Sequence, residues 1–121
     1  MTTIWITFEQ EGWHCWPEAV GSRAYLKHPH RHMFHFRVEL EVKEQNREIE
    51  LHDFKEWCHQ QLQDGFGRFG TSLFGLDFET CSCEQLAYEM CQVVVSEHQS
   101  RWCACEVSED SECGARVELR P

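Results

Sequence analysis

Positive charge is scarce in this sequence: 11 Lys and Arg stand against 21 Asp and Glu, a formal charge of −10. No basic stripe is available to follow a phosphate backbone, so a nucleic-acid partner is not expected. The same deficit argues against an anionic membrane surface. No apolar run is long enough to span a bilayer. The opening Met1-Thr2-Thr3-Ile4-Trp5 has neither the basic start nor the long apolar stretch of a secretory signal. A cytoplasmic protein is therefore expected. The chain also lacks internal repeats, low-complexity stretches and the C-x-x-C knuckles of a zinc ribbon. Its 121 residues suffice for one domain, 1–121, around one core.

What the chain has in plenty is cysteine, 8 in all. With no secretory signal, reduced thiols or metal ligands are expected in place of a disulfide framework. Cys81-Ser82-Cys83 and Cys103-Ala104-Cys105 are C-x-C pairs. Residues two apart on a strand share a face, so Cys103 and Cys105 read as small buried side chains.

Residues 3–10, rich in β-branched and aromatic types, predict a strand, and 11–29, with two prolines and flanking glycines, a long loop. From His32 to Val42 the alternation is strict. His32, Phe34, Phe36, Val38, Leu40 and Val42 fall on one face, and Met33, His35, Arg37, Glu39 and Glu41 on the other, as in a half-buried strand. Residues 43–48 read as a turn. Leu51, Phe54, Trp57 or Cys58, and Leu62 recur at helical spacing. The glycine-rich stretch 64–81 reads as a connection. Ser82-x-x-Gln85 is a capping box, and Leu86, Ala87, Met90, Val93 and Val94 continue as the apolar stripe of a second helix. Residues 102–108 and 115–119 predict two closing strands around a turn at Gly114. The expected class is α+β, ββααββ, with both helices on one face of an antiparallel sheet. Such a sheet has open edges, so oligomerisation through them is expected. Trp5, Trp57 and Trp102 are expected in the core or at a subunit interface, and Trp13 and Trp16 in core or rim packing around His14.

The strongest chemical signal is His28-Pro29-His30-Arg31-His32. On an extended segment His30 and His32 project to one side, and neutral imidazoles suit zinc, which takes three protein ligands at catalytic sites. His-x-His alone is a weak signal.

Other features lie in register with it. Upstream stands His14-Cys15-Trp16-Pro17; downstream come Asp53-Phe54, then Cys81-Ser82-Cys83-Glu84-Gln85-Leu86-Ala87, then Glu109-Asp110. This series resembles the 6-pyruvoyl- and 6-carboxytetrahydropterin synthases. Members of that family carry a His ending the first strand, His-Gly-His opening the second and Asp-Phe opening the first helix. A Pro-Thr-x-Glu-Asn-Leu-Ala-like helix start and a late Glu-Thr pair follow. The resemblance spans nearly the whole chain, with two extra residues before His14. It implies a tunnelling fold (T-fold): a four-stranded antiparallel sheet with two helices on one face, whose copies close a barrel as a homohexamer, a dimer of trimers. It also implies zinc on His14, His30 and His32, with His28 the substitute for His14. Glu109 would anchor the ring of a pterin- or purine-like small molecule, a carboxylate being able to accept two adjacent N–H bonds.

The chain departs from the family where protons move. The family's cysteine base falls at Leu26, and its Asp-His pair at Phe69-Gly70. The glycine of His-Gly-His is Arg31, and the helix-start Pro-Thr is Cys81-Ser82. Three readings follow. One is a zinc-dependent lyase acting on a dihydroneopterin-triphosphate-like substrate, with Cys15, Glu18, Tyr25 or His28 moving the proton. The second is an inactive protein that binds the ligand without converting it. The third is a structural or interaction subunit.

Overall fold

The computed structural model describes residues 1–66 and 75–121. Strands β1 (Thr2–His14) and β2 (His30–Val42) pair antiparallel along their whole length, from Thr2 opposite Val42 to His14 opposite His30. The alternation of β2 holds: Phe34, Phe36, Val38, Leu40 and Val42 are buried. β1 runs four residues past its expected end at residue 10, because Gln10, Gly12 and His14 keep the period-two pattern against β2. The expected loop 11–29 is thus partly strand, and Gly21–Lys27 within it form a 3-10 helix.

Two helices cover one face. α1 (Leu51–Phe66) buries Phe54, Cys58 and Leu62 against β1, and α2 (Cys83–Glu97) buries Leu86, Ala87, Met90, Cys91 and Val94 against the closing strands. The capping box of α2 is formed: Gln85 N donates to Ser82 Oγ at 3.2 Å, and Ser82 N donates to Gln85 Oε1 at 2.9 Å. All eight cysteines are free thiols, and Cys103 and Cys105 lie fully inside the core. Trp57 packs against that core, whereas Trp5, 54% exposed, lies on the opposite face beneath the Arg37 guanidinium.

Among the described residues the sheet has five strands where four were expected, in the order β3-β1-β2-β4-β5. The addition is β3 (Leu76–Asp77), parallel to β1 beside Gly12 and Trp13. Two residues carry no readable periodicity; what holds the segment is the next residue, Phe78, buried over Gly12. A Cβ at position 12 would lie 2.3 Å from the Phe78 ring, so only glycine admits this approach. β4 (Cys103–Glu109) pairs with β2, and β5 (Cys113–Leu119) pairs with β4.

The β4–β5 turn is not at Gly114, which lies inside β5 opposite Ser108. It is at Asp110 and Ser111, with φ of +55° and +60°. Among the described residues β5 pairs with β4 alone, and no helix is long and apolar enough to cross a membrane.

Candidate metal centre

The β1–β2 register builds the site. His14 ends β1 opposite His30, the first residue of β2, and His32 follows two residues later on the same face. Three imidazoles therefore project from the helix-covered face at one end of the sheet. They stand above buried Phe34, whose ring centroid is 5.1 Å from that of His14 and 5.7 Å from that of His32. One nitrogen from each histidine lies within 4.8 Å of the other two.

Each ring is fixed by its Nδ1. His14 Nδ1 lies 2.9 Å from the Cys81 carbonyl oxygen, His30 Nδ1 2.9 Å from that of His28, and His32 Nδ1 2.7 Å from Asp110 Oδ2. Those oxygens only accept hydrogen bonds, so each Nδ1 carries a proton and donates it, which places the lone pair of the neutral form of each ring on Nε2. The Cys81 carbonyl reaches His14 because 77–81 follows β1. Phe78 N donates to Trp13 O at 2.8 Å, Cys15 N to Glu79 O at 2.9 Å, and Cys81 N to Phe78 O at 3.0 Å.

His14 is 8% exposed, and its Nε2 is buried without a hydrogen-bond partner among the described residues. Glu109 Oε1 is 3.2 Å from this atom, but off the line of a hydrogen bond. Burial lowers the His14 pKa, outweighing the bond to Cys81 and the charge of Glu109, which raise it. The ring is held neutral with a buried lone pair that none of the described residues uses. Glu109 Oε2 lies 3.5 Å from His32 Nε2, so this carboxylate flanks the three donors without joining their convergent set. Behind it the thiol of Cys83, the first residue of α2, sits 3.8 Å from Glu109 Oε1. Burial, and then the negative charge of Glu109, push that thiol up to about 12.

His14, His30 and His32 are thus brought together, with Glu109 beside them. His28 contributes its backbone carbonyl; neither its ring nor Cys15 nor Glu18 joins the cluster. Arg31 points to the other face and pairs with Glu11 at 3.1 Å. Leu26 sits in the 3-10 helix, its carbonyl accepting from Trp16 N at 2.7 Å, and Tyr25 is 72% exposed. Phe69 and Gly70 lie outside the described residues. Sequence reasoning missed the Cys81 and His28 carbonyls, which carry no side-chain signal. It also missed Asp110 and Cys83, whose roles depend on a turn and a helix start in space.

Three imidazoles with an open side are the donor set of a catalytic zinc site; a structural zinc takes four protein ligands. The orphaned Nε2 of His14 and the three fixed Nδ1 protons fit such an ion.

No known protein-family profile matches this chain, and no curated protein does. Among solved structures, an uncharacterized protein, WS1659, from Wolinella succinogenes is similar over 96% of this chain and 97% of its own, with a TM-score of 0.62 and 15% identity. At that identity the likeness concerns the fold, a mixed α+β sheet with helices on one face.

Proposed function

We propose that His14, His30 and His32 hold a zinc ion, and that the chain is a T-fold protein akin to the tetrahydropterin synthases, acting on a dihydroneopterin-triphosphate-like substrate. The observation that carries this reading is the buried, unused lone pair of His14 Nε2, converging with nitrogens of two further rings whose Nδ1 protons are tied off. Zinc, when bound, supplies Lewis-acid polarisation of a substrate hydroxyl or carbonyl. The chain's own residues do the rest. The three imidazoles fix the place where the substrate's side-chain oxygens sit, and Phe34 closes the floor beneath them. Glu109 offers two acceptor oxygens on the open side for paired N–H donors of a ring edge. Copies joined through β5 and through the part of β1 that β3 leaves unpaired among the described residues would form the homohexamer and enclose the pocket.

A second reading is favoured by one observation. Leu26 stands where the family's cysteine does, and the thiol beside Glu109, Cys83, is kept protonated by burial and charge. On that reading the same residues hold a pterin- or purine-like ligand without converting it. The deciding experiment incubates zinc-loaded protein with 7,8-dihydroneopterin triphosphate and reads products by mass. A metal-dependent product, lost in His30→Ala, supports the enzyme. Binding without conversion, weakened in Glu109→Ala, supports the second reading. Neither binding nor conversion rejects a pterin ligand.

A further inference from the structure

We infer that Asp110 is a positioning residue of the metal centre, and that the left-handed turn carrying it exists to bring two consecutive carboxylates to one cluster. The inference rests on the metal-site reading above. In an extended strand, neighbouring side chains point to opposite faces, so Glu109 and Asp110 could not both serve His32. Here they do. Glu109 Oε2 is 3.5 Å from His32 Nε2, and Asp110 Oδ2 is 2.7 Å from His32 Nδ1.

The change of direction comes from the backbone. Asp110 and Ser111 both lie in the left-handed region, at φ +55° and +60°, and Glu112 N closes the turn on Glu109 O at 3.0 Å. Hairpins of this hand favour Asn-Gly, Asp-Gly or Gly-Gly, so aspartate suits the first turn position and Ser111, at the second, is the strained residue. Asp110 is tied down three times: its N donates to Met33 O at 2.8 Å, its Oδ1 accepts from Met33 N at 2.9 Å, and its Oδ2 accepts from His32 Nδ1.

His14 and His30 are oriented by backbone carbonyls, whereas His32, its side chain 22% exposed, is oriented by a carboxylate. A charged acceptor holds a ring against competing water better than a neutral one. The chain also differs here from the family it resembles, which carries threonine at the position of Asp110.

The test uses the full chain and three variants. Asp110→Gly keeps the left-handed turn and removes the carboxylate. Asp110→Asn keeps the turn and an oxygen acceptor without charge. Ser111→Gly relaxes the turn and leaves the His32 contact in place. Zinc affinity is measured by competition with a chromophoric chelator, and the His32 tautomer by 15N NMR on metal-free protein. Asp110→Gly should lose about 10–100-fold in zinc affinity, the range expected for removing a partner of a ligand. The relaxed turn offsets part of the loss of the Met33 and His32 bonds, so its melting temperature should change little, and its His32 should show mixed tautomers. Asp110→Asn should fall between, and Ser111→Gly should match the parent in affinity and tautomer. Parent-like zinc affinity and an unmixed Nδ1–H tautomer in Asp110→Gly would overturn the role of Asp110 while leaving the metal site standing. A parent chain that takes up no zinc would overturn the metal site itself, and the positioning role with it.

Discussion

The two ends of the β1–β2 ladder use similar side chains to opposite effect. At the end where Thr2 meets Val42, polar groups satisfy one another. Arg101 pairs with Glu48 and donates to the Glu41 carbonyl at 3.2 Å, and Trp102 N donates to Glu41 Oε1 at 3.0 Å. Glu48 also accepts from the amides of Lys43, at 2.7 Å, and Glu44, at 3.1 Å. At the end where His14 meets His30, the Nδ1 side of each ring is satisfied, but the buried Nε2 of His14 has no hydrogen-bond partner among the described residues. Buried polar groups in folded proteins almost always find partners, so an orphan in a well-bonded setting points to a ligand. One end of the sheet is satisfied within itself; the other holds a buried nitrogen with no partner among the described residues.

The comparison breaks most completely at the ligands. His14→Ala or His30→Ala should abolish stoichiometric zinc uptake, a larger loss than the outer-partner change at Asp110, whereas Arg101→Ala at the satisfied end should leave zinc affinity unchanged. Metal analysis after dialysis reads both. Next in size is Gly12→Ala. The new methyl must displace the Phe78 ring and with it the strand that delivers the Cys81 carbonyl to His14. Overpacking of this kind costs about 1–3 kcal/mol, which denaturant unfolding of metal-free protein would show, and zinc binding should weaken with it. Unchanged stability would mean that Phe78 is not seated over Gly12.

The smallest effect lies at the satisfied end and is seen only in acid. The Arg101 guanidinium, and then the Lys43 and Glu44 amides, hold the Glu48 carboxyl down to about 2. Its pKa is lower in the folded chain than in the unfolded one, so its contribution is complete above about pH 4.5 and fades as pH falls towards 2. Glu48→Gln should flatten that part of the stability-against-pH curve and leave the rest unchanged. Equal acid sensitivity in parent and variant would contradict the ion pair.

How much was legible in the sequence depended on the length of the pattern. β2 was plain because eleven residues alternate without a break, and α2 because Ser82 and Gln85 announce its start before a helical stripe. His30 and His32 were readable from their spacing. His14 was not readable from spacing at all; its place depends on the register of a ladder thirteen residues long on each strand, and only the family resemblance pointed to it. β3 escaped because two residues carry no period and because its anchor is a ring filling the space a glycine leaves open. Gly114 looked like the last turn, since glycine is the usual left-handed residue. The left-handed residues are instead Asp110 and Ser111, where the benefit is a contact 78 residues away in sequence. The orienting carbonyls of Cys81 and His28 are backbone atoms, which every residue has and no motif marks.

The most direct test of the central claim is metal content by inductively coupled plasma mass spectrometry, after zinc loading and exhaustive dialysis of the parent and of His30→Ala/His32→Ala. The three-histidine centre predicts about one zinc per chain in the parent and none above background in the double variant, with both proteins folded by circular dichroism. A folded parent that retains no zinc, or a double variant that retains as much as the parent, would contradict it.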